Sequence, residues 1–154
     1  MAIEQTLVFV KPDGVMRGLA TDILARFERK GFTVRGLKLL KVSKELAEKH
    51  YAIHKGKPFY DPLVKYVQSG PVVAAVLEGE DAVAQCRAVM GATDPRKGRP
   101  GEIRFDFAQE IGRNIIHGSD SVENAKQEIA LWFQPEEIVA WWRADRVWLH
   151  EGSH

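Results

Sequence analysis

One histidine stands in a segment whose residue types suit the transfer of an anionic group, Arg113-Asn114-Ile115-Ile116-His117-Gly118-Ser119-Asp120-Ser121. Two apolar residues lead into His117 at a predicted strand end, and small and polar residues follow before a helix begins. We therefore expect His117 near the surface, beside backbone N–H groups that can hold an anion. A neutral imidazole is a competent nucleophile at physiological pH and needs little pKa tuning.

A carboxylate is predicted within reach of that histidine. Glu128 lies on the apolar side of the next predicted helix, where it can hold the ring of His117 directly or through Ser119. The alternative is that His117 is a turn histidine and Glu128 a solvated helix residue. Periodicity alone favours that alternative.

A second group of candidates is cationic. Arg87 lies beside the apolar stripe of its predicted helix, and further hydrogen-bond donors follow in or near residues 91–102: Thr93, Arg96, Lys97, Arg99 and Arg104. That segment holds three Gly and two Pro, and loops of this length without structure are often functional. Several donors converging on one pocket suit a polyphosphate. The alternative is a solvated basic loop, which is the commoner meaning of such a run.

Two further residues stand at places where strands or helices change. Lys11 ends an apolar strand before Pro12-Asp13-Gly14, so its side chain is expected to point into a crevice. Phe59 lies between Pro58 and Tyr60. It is either a hydrophobic staple at the start of a helix or an exposed stacking platform, and the sequence leaves both open.

The segments that must position these side chains alternate between strand and helix patterns. Strands are predicted at residues 3–10, 32–42, 72–77 and 114–117. Apolar residues spaced three or four apart predict helices that begin near Leu19, Ser43, Asp61, Ala82, Ser121 and Pro135. The predicted N-caps are Ser43, Asp61 and Ser121, and the predicted C-terminal stops are Gly31 and Gly91.

This order of elements predicts an α+β fold. If the pair of helices before residue 72 and the long loop are taken as insertions, a βαββαβ pattern remains, which is the ferredoxin-like sandwich with an antiparallel four-stranded sheet and added helices. A doubly wound parallel sheet is the competing interpretation.

Composition narrows the class of protein. The chain has 154 residues, of which 45% are hydrophobic and 28% charged, so one domain over residues 1–151 is expected. The net charge is +1, so the overall basic field of a nucleic-acid binder is absent. Neither phosphate-binding glycine motif nor a zinc-type Cys/His spacing occurs. The single Cys86 is predicted in the core. We expect no secretory leader, no membrane span and a cytoplasmic protein, and we interpret residues 152–154 as an expression remnant.

Segments along nearly the whole chain resemble the nucleoside diphosphate kinase family. The matching stretches are Lys11-Pro12-Asp13-Gly14-Val15, Arg26-Phe27-Glu28-Arg29-Lys30-Gly31-Phe32, His50-Tyr51, Gly70-Pro71-Val72-Val73, Gly91-Ala92-Thr93-Asp94-Pro95 and Asn114-Ile115-Ile116-His117-Gly118-Ser119-Asp120. The last stretch is highly specific to the family. The resemblance overturns the alternative interpretations at His117, Lys11, Phe59, Arg87 and Arg104. It assigns no catalytic position to Arg96, Lys97, Arg99, His50, His54 or His150.

The resemblance implies ping-pong transfer of the γ-phosphate of a nucleoside triphosphate to a nucleoside diphosphate through a phosphohistidine at His117, with broad base specificity. Each implied role belongs to a residue already singled out or to a neighbour of one. Arg87, Thr93 and Arg104 hold the phosphates, Lys11 and Asn114 contact the sugar hydroxyl and the transferred phosphate, Tyr51 lines the histidine pocket, Ser119 and Glu128 orient the ring, and Phe59 stacks on the base. Mg²⁺ is the implied cofactor, held mainly by nucleotide phosphates.

Trp residues at 132, 141, 142 and 148 crowd the last quarter of the chain, and so much aromatic surface indicates a homo-oligomer interface; the alternative is that the tail folds back over its own core. The resemblance also implies a homo-oligomer, with a hexamer favoured over a tetramer. Residues 142–151 match the C-terminal extension of hexameric members, and Pro95 lies in the loop that packs near their threefold axis. One departure concerns Phe105, where the family pattern has glycine beside a phosphate ligand, so the loop geometry there is expected to differ.

Two rival functions remain from the residues themselves. One is a histidine-based phosphocarrier or phosphatase that acts on another substrate. The other is a nucleotide or nucleic-acid binding module without catalysis, but no dedicated nucleic-acid site is expected.

Overall fold

A computed structural model describes residues 2–152, and its centre is a four-stranded sheet. The strands are β1 (Ile3–Val10), β2 (Thr33–Leu40), β3 (Val72–Glu80) and β4 (Ile116–Gly118), in the order β2-β3-β1-β4. All three pairings are antiparallel. The predicted ferredoxin-like arrangement is therefore confirmed, and the competing parallel sheet is wrong. Of residues 152–154, Ser153 and His154 lie outside the described residues.

Helices cover both faces of this sheet. They are α1 (Pro12–Met16), α2 (Ala20–Lys30), α3 (Lys44–His50), α4 (Tyr60–Val67), α5 (Ala82–Met90), α6 (Ile103–Phe107) and α7 (Val122–Trp132). Side chains alternate across a strand, so Leu7 and Phe9 of β1 face one core with α3, α4 and α7. Val8 and Val10 face the other core with α2, α5 and α6. None of the helices within residues 2–152 is long and apolar enough to cross a membrane.

Most local signals in the sequence correspond to real boundaries. The hydroxyls of Ser43 and Ser121 accept hydrogen bonds from the first turns of α3 and α7, as N-caps do. Gly31 ends α2 in the left-handed region at φ 114°, where glycine carries no Cβ penalty. Cys86 is buried in the core as predicted.

Two helix predictions were wrong, and the residues after Lys11 form a helix that was not predicted. Asp61 is not the N-cap of α4, because α4 begins at Tyr60 and its N-cap residue is Phe59, whose side chain makes no capping hydrogen bond. After Lys11 the chain forms the short helix α1, which Pro12 starts because its fixed φ suits the first helical position. The predicted helix at Pro135 is a single 3-10 turn, Pro135–Glu137.

Two boundaries near the candidate site also differ from the prediction. The last strand begins at Ile116 and not at residue 114, because Ile115 has a φ of 73° and interrupts the extended backbone. The long loop at residues 91–102 contains the 3-10 turn Pro95–Lys97, capped by Asp94. It then leads into α6, for which the sequence showed no clear helical periodicity.

Candidate active site

The predicted site residues converge on one cavity of about 310 Å³ at the end of β1 and β4. All of them except Phe59 and Ser119 line it, namely Lys11, Tyr51, Arg87, Thr93, Arg104, Asn114, His117 and Glu128. Four of them lie on α5, α6, β4 and α7, and the other four lie in loops or at helix ends, so only the fold brings them together.

His117 lies in the centre of this arrangement. It sits on β4 opposite Phe9 of β1, and about a fifth of its side chain is exposed, with a relative value of 21%. Its Nε2 lies 2.8 Å from Oε1 of Glu128, and the hydroxyl of Ser119 donates to the same oxygen at 2.7 Å. Glu128 therefore contacts the ring directly, while the buried Ser119 supports the carboxylate from behind.

The ionisation of this pair follows from its surroundings. Burial lowers the pKa of His117 below its usual value of 6.5, although Glu128 acts in the opposite direction. Burial acts to raise the pKa of Glu128, but the hydrogen bonds from His117 and Ser119 outweigh it and leave that pKa below the ordinary range. At neutral pH a neutral imidazole thus faces a carboxylate, so Nε2 carries the proton and donates it. Nδ1 keeps its lone pair, and no described residue forms a hydrogen bond with it.

Three cations face the cavity from different elements. Nζ of Lys11 donates to Oδ1 of Asn114 at 2.7 Å, and Nδ2 of Asn114 donates to the carbonyl of Thr93 at 3.0 Å. Arg104 donates to the carbonyls of Gly91 and Ile116. These neutral partners orient the cationic groups but do not neutralise their charge.

The electrostatics of these groups indicate an anion site. Burial, and then the charge of Arg104, lower the pKa of Lys11 to about 8. Burial, and then Arg87, lower the pKa of Arg104 to about 10. Nε of Arg104 is also buried without a hydrogen-bond partner among residues 2–152, which costs on the order of 1–3 kcal/mol. A phosphate oxygen would satisfy that donor and relieve the repulsion between the cations.

A strained residue, Ile115, lies between Asn114 and the strand that carries His117. Ile115 is fully buried with a φ of 73°, a conformation that a β-branched residue rarely adopts. Its carbonyl accepts the N–H of Lys11 at 2.9 Å, so the kink is tied to the end of β1. Because the backbone turns here, Asn114 and His117 both line the same cavity.

Phe59 lies just outside the cavity. Its ring meets that of His54, which lines the cavity, edge-to-face at a centroid distance of 5.0 Å. Phe59 is 46% exposed, and Nζ of Lys57 lies over its ring at 5.7 Å from the centroid. The exposure favours the stacking platform over the buried staple. Phe105 adopts an ordinary helical backbone in α6 with its ring turned to solvent, and it does not line the cavity.

Sequence reasoning missed several residues of this site. His50 lines the cavity with its ring 4.6 Å from that of His117, and His54, Ile53, Asp120 and Asn124 line it as well. The spacing of His50 on the apolar stripe of α3, together with its position next to Tyr51, could have identified it as a site residue. Arg96, Lys97 and Arg99 do not line the cavity and are exposed, as the solvated-loop alternative requires.

The fold is antiparallel α+β, and it places three cations around a neutral histidine. This arrangement is typical of proteins that bind or transfer phosphate groups. Comparison with known proteins identifies the family. The nucleoside diphosphate kinase family model matches residues 4–138. A nucleoside diphosphate kinase of Synechococcus elongatus is 56% identical over 149 residues, which cover 97% of this chain and 100% of that protein.

Solved structures agree with this assignment. A Halobacterium salinarum nucleoside diphosphate kinase in complex with CDP superposes with a TM-score of 0.94 at 48% identity, covering 97% of this chain and 100% of the other. A Babesia bovis member of the family gives 0.93 at 41% identity, covering 96% and 99%. The chain belongs to the nucleoside diphosphate kinase family and is a phosphotransferase.

Proposed function

We propose that this protein transfers the γ-phosphate of a nucleoside triphosphate to a nucleoside diphosphate through a phosphohistidine on Nδ1 of His117. The observation that carries the proposal is the hydrogen bond between Nε2 of His117 and Glu128. It leaves the Nδ1 lone pair free in a cavity lined by Lys11, Arg87 and Arg104. The Halobacterium salinarum relative was solved with CDP, which is a nucleoside diphosphate.

The reaction takes two half-reactions in one site. The Nδ1 lone pair attacks the γ-phosphorus, an N–P bond forms, and the P–O bond to the diphosphate breaks with its electron pair on the leaving oxygen. A second diphosphate then attacks the phosphohistidine with its terminal oxygen and the N–P bond breaks. Positioning and charge stabilisation are the main demands of such a transfer.

Each remaining residue has a role that its contacts support. Arg87, Thr93 and Arg104 hold the phosphates, and the orphaned Nε of Arg104 supplies one donor. Lys11 and Asn114, already joined at 2.7 Å, contact the sugar hydroxyl and the transferred phosphate. Tyr51 lines the histidine pocket. Ser119 and Glu128 orient the ring, and Phe59 stacks on the base.

Mg²⁺ enters as part of the nucleotide substrate. Among the described residues that line the cavity, the carboxylates are Asp120 and Glu128. Glu128 already accepts two hydrogen bonds, and Asp120 accepts one from Asn124 at 2.6 Å. Mg²⁺ prefers six oxygen ligands and keeps several waters. The donor set therefore fits an ion that phosphate oxygens would mainly hold, and such an ion would neutralise charge on the phosphates.

A label-transfer experiment tests the proposal. The protein is incubated with γ-labelled ATP and Mg²⁺ without acceptor, and then with several nucleoside diphosphates. An acid-labile, alkali-stable label on His117 that passes to each diphosphate is the expected result. A label that passes only to water or to another acceptor class would indicate a phosphatase or phosphocarrier, and no label would indicate a binding module.

Base selectivity is expected to be weak. Stacking on the half-exposed ring of Phe59 uses a π-surface that every base has, and no residue of the site is assigned to hydrogen-bond the edge of a base. Specificity constants for the four common diphosphates should therefore differ by less than about 100-fold, roughly what one or two good hydrogen bonds supply. A larger preference would contradict the stacking model.

The protein is expected to be a homo-oligomer, and a hexamer is favoured over a tetramer. Trp132 is buried in the core, whereas Trp142 and Trp148 remain 69% and 87% exposed even though the tail folds back on β2. Exposed aromatic surface of this kind marks interfaces. Light scattering at micromolar concentration should give six times the chain mass of 17.3 kDa. A monomeric mass would rule out assembly, and four subunits would rule out the hexamer.

A further inference from the structure

His50 is a second imidazole beside the nucleophile. It is the last residue of α3 and lines the cavity, and its ring stands edge-on to that of His117 at a centroid distance of 4.6 Å and an angle of 80°. Phe9 covers the ring of His117 in a stacked arrangement at 4.8 Å and 28°. The two contacts hold the His117 ring from different directions.

A buried tryptophan determines which nitrogen of His50 carries the proton. The indole N–H of Trp132 donates to Nδ1 of His50 at 3.1 Å. An indole N–H can only donate, so Nδ1 must offer its lone pair and the neutral ring carries its proton on Nε2. Trp132 itself stacks on Phe9 at 4.6 Å and is almost fully buried, so the donor has little freedom to turn away.

His50 stays uncharged in this environment. Burial is the largest cause that lowers its pKa, which falls to about 3, and repulsion from His117, whenever that ring is protonated, and from Lys11 acts in the same direction. The charge of Glu128 acts the other way. Protonation would also place an N–H on Nδ1 against the N–H of Trp132.

We propose that Trp132 locks His50 in the Nε2–H tautomer, that His50 in turn positions the ring of His117, and that only His117 can then accept a phosphoryl group. This inference rests on the proposed function. With Nδ1 bound to Trp132 and Nε2 protonated, His50 has no free lone pair for attack on phosphorus. His117 has the reverse arrangement, with Nε2–H on Glu128 and a free Nδ1. His50 and Trp132 are thus positioning residues that make the choice between two adjacent imidazoles unambiguous.

Nitrogen NMR of the wild-type protein tests the tautomer without any need for activity. Long-range ¹H–¹⁵N spectra of ¹⁵N-histidine-labelled protein should show His50 as a neutral ring with its proton on Nε2 throughout the range of about pH 5 to 8, because a ring whose pKa lies far below its ordinary 6.5 does not titrate there. A ring with its proton on Nδ1, or one that titrates in that range, would overturn the proposal.

The variant Trp132→Phe removes the donor and keeps an aromatic ring against Phe9. We expect a mixture of His50 tautomers and a slower single-turnover phosphorylation of His117, by about 3- to 10-fold, which corresponds to the usual net worth of one hydrogen bond. Nucleotide affinity should change little, because no phosphate contact is lost. Trp141→Phe is the matched control. Trp141 lies on the C-terminal tail, and its indole N–H donates to the carbonyl of Val34 on β2 at 2.9 Å.

The outcomes separate this inference from the proposed function. A Trp132→Phe protein that keeps the wild-type His50 tautomer and is phosphorylated as fast as Trp141→Phe overturns the inference. Label on His50 as well as His117 in Trp132→Phe supports the selectivity part directly. If the wild-type protein forms no phosphohistidine at all, the proposed function fails, while the NMR experiment still decides the tautomer.

Discussion

Replacing His117 with Ala is expected to lower phosphoryl transfer by more than about 100-fold, while nucleotide binding survives. The nucleophile is lost, but Lys11, Arg87 and Arg104 and the exposed ring of Phe59 remain in place. A hundredfold is already comparable to a single acid–base contribution, and the loss of a covalent intermediate should exceed it. The measurements are turnover from ATP to a diphosphate and nucleotide affinity by calorimetry.

His150→Ala provides a matched control for this experiment. The same side chain is removed, but His150 lies 3.1 Å from Glu80 at the end of β3 and does not line the cavity. The turnover of the His150→Ala variant should equal that of the wild-type protein. If His117→Ala kept more than about a hundredth of the wild-type turnover, the phosphohistidine mechanism would be wrong.

Replacing Lys11 with Gln is expected to lower kcat by about 10²- to 10³-fold, with a much smaller change in KM. A preorganised charge beside a developing anion is worth about that much when it is lost from a water-poor site. Gln is one atom shorter than Lys but still carries an N–H donor that can face Asn114, so the variant removes mainly the charge. Lys65→Gln on the exposed side of α4 is the control. Equal losses of kcat in the two variants would contradict the role of Lys11.

The same lysine predicts a pH dependence. Burial, and then Arg104, hold the pKa of Lys11 near 8 in the free protein, while Asp13 opposes them. A lysine is charged below its pKa, so kcat/KM should hold steady up to about pH 8 and fall above it, by about tenfold per pH unit for one essential proton. Bound phosphates favour the charged form, so the fall in kcat should come at higher pH. A profile of kcat/KM that stays flat to pH 10 would contradict this assignment.

Much of the scaffold could be predicted because its signals are local. The apolar runs of β1 and β3, the capping hydroxyls of Ser43 and Ser121, and the glycine after α2 act within a few residues of where they stand. The residue types of the segment around His117 likewise made it a candidate nucleophile, with Glu128 one helix further along as a candidate for orienting its ring. The resemblance then assigned roles that periodicity alone had not favoured.

Other features depend on contacts between distant parts of the chain. Lys11 meets Asn114 across 103 residues, and Trp132 meets His50 across 82, separations at which no periodic pattern carries information. The positive φ of Ile115 likewise could not be predicted, because a β-branched residue adopts it only where the surrounding structure compensates the strain.

In this protein, local propensity and residue type are enough to predict the strands, several helix starts and the chemical groups that could act. Only the folded chain provides the burial that lowers the pKa of Lys11 and His117, the contact that leaves Nδ1 of His117 free, and the position of His50 beside that ring. These features depend on desolvation and hydrogen-bond geometry, which follow from the surfaces that the folded chain brings together.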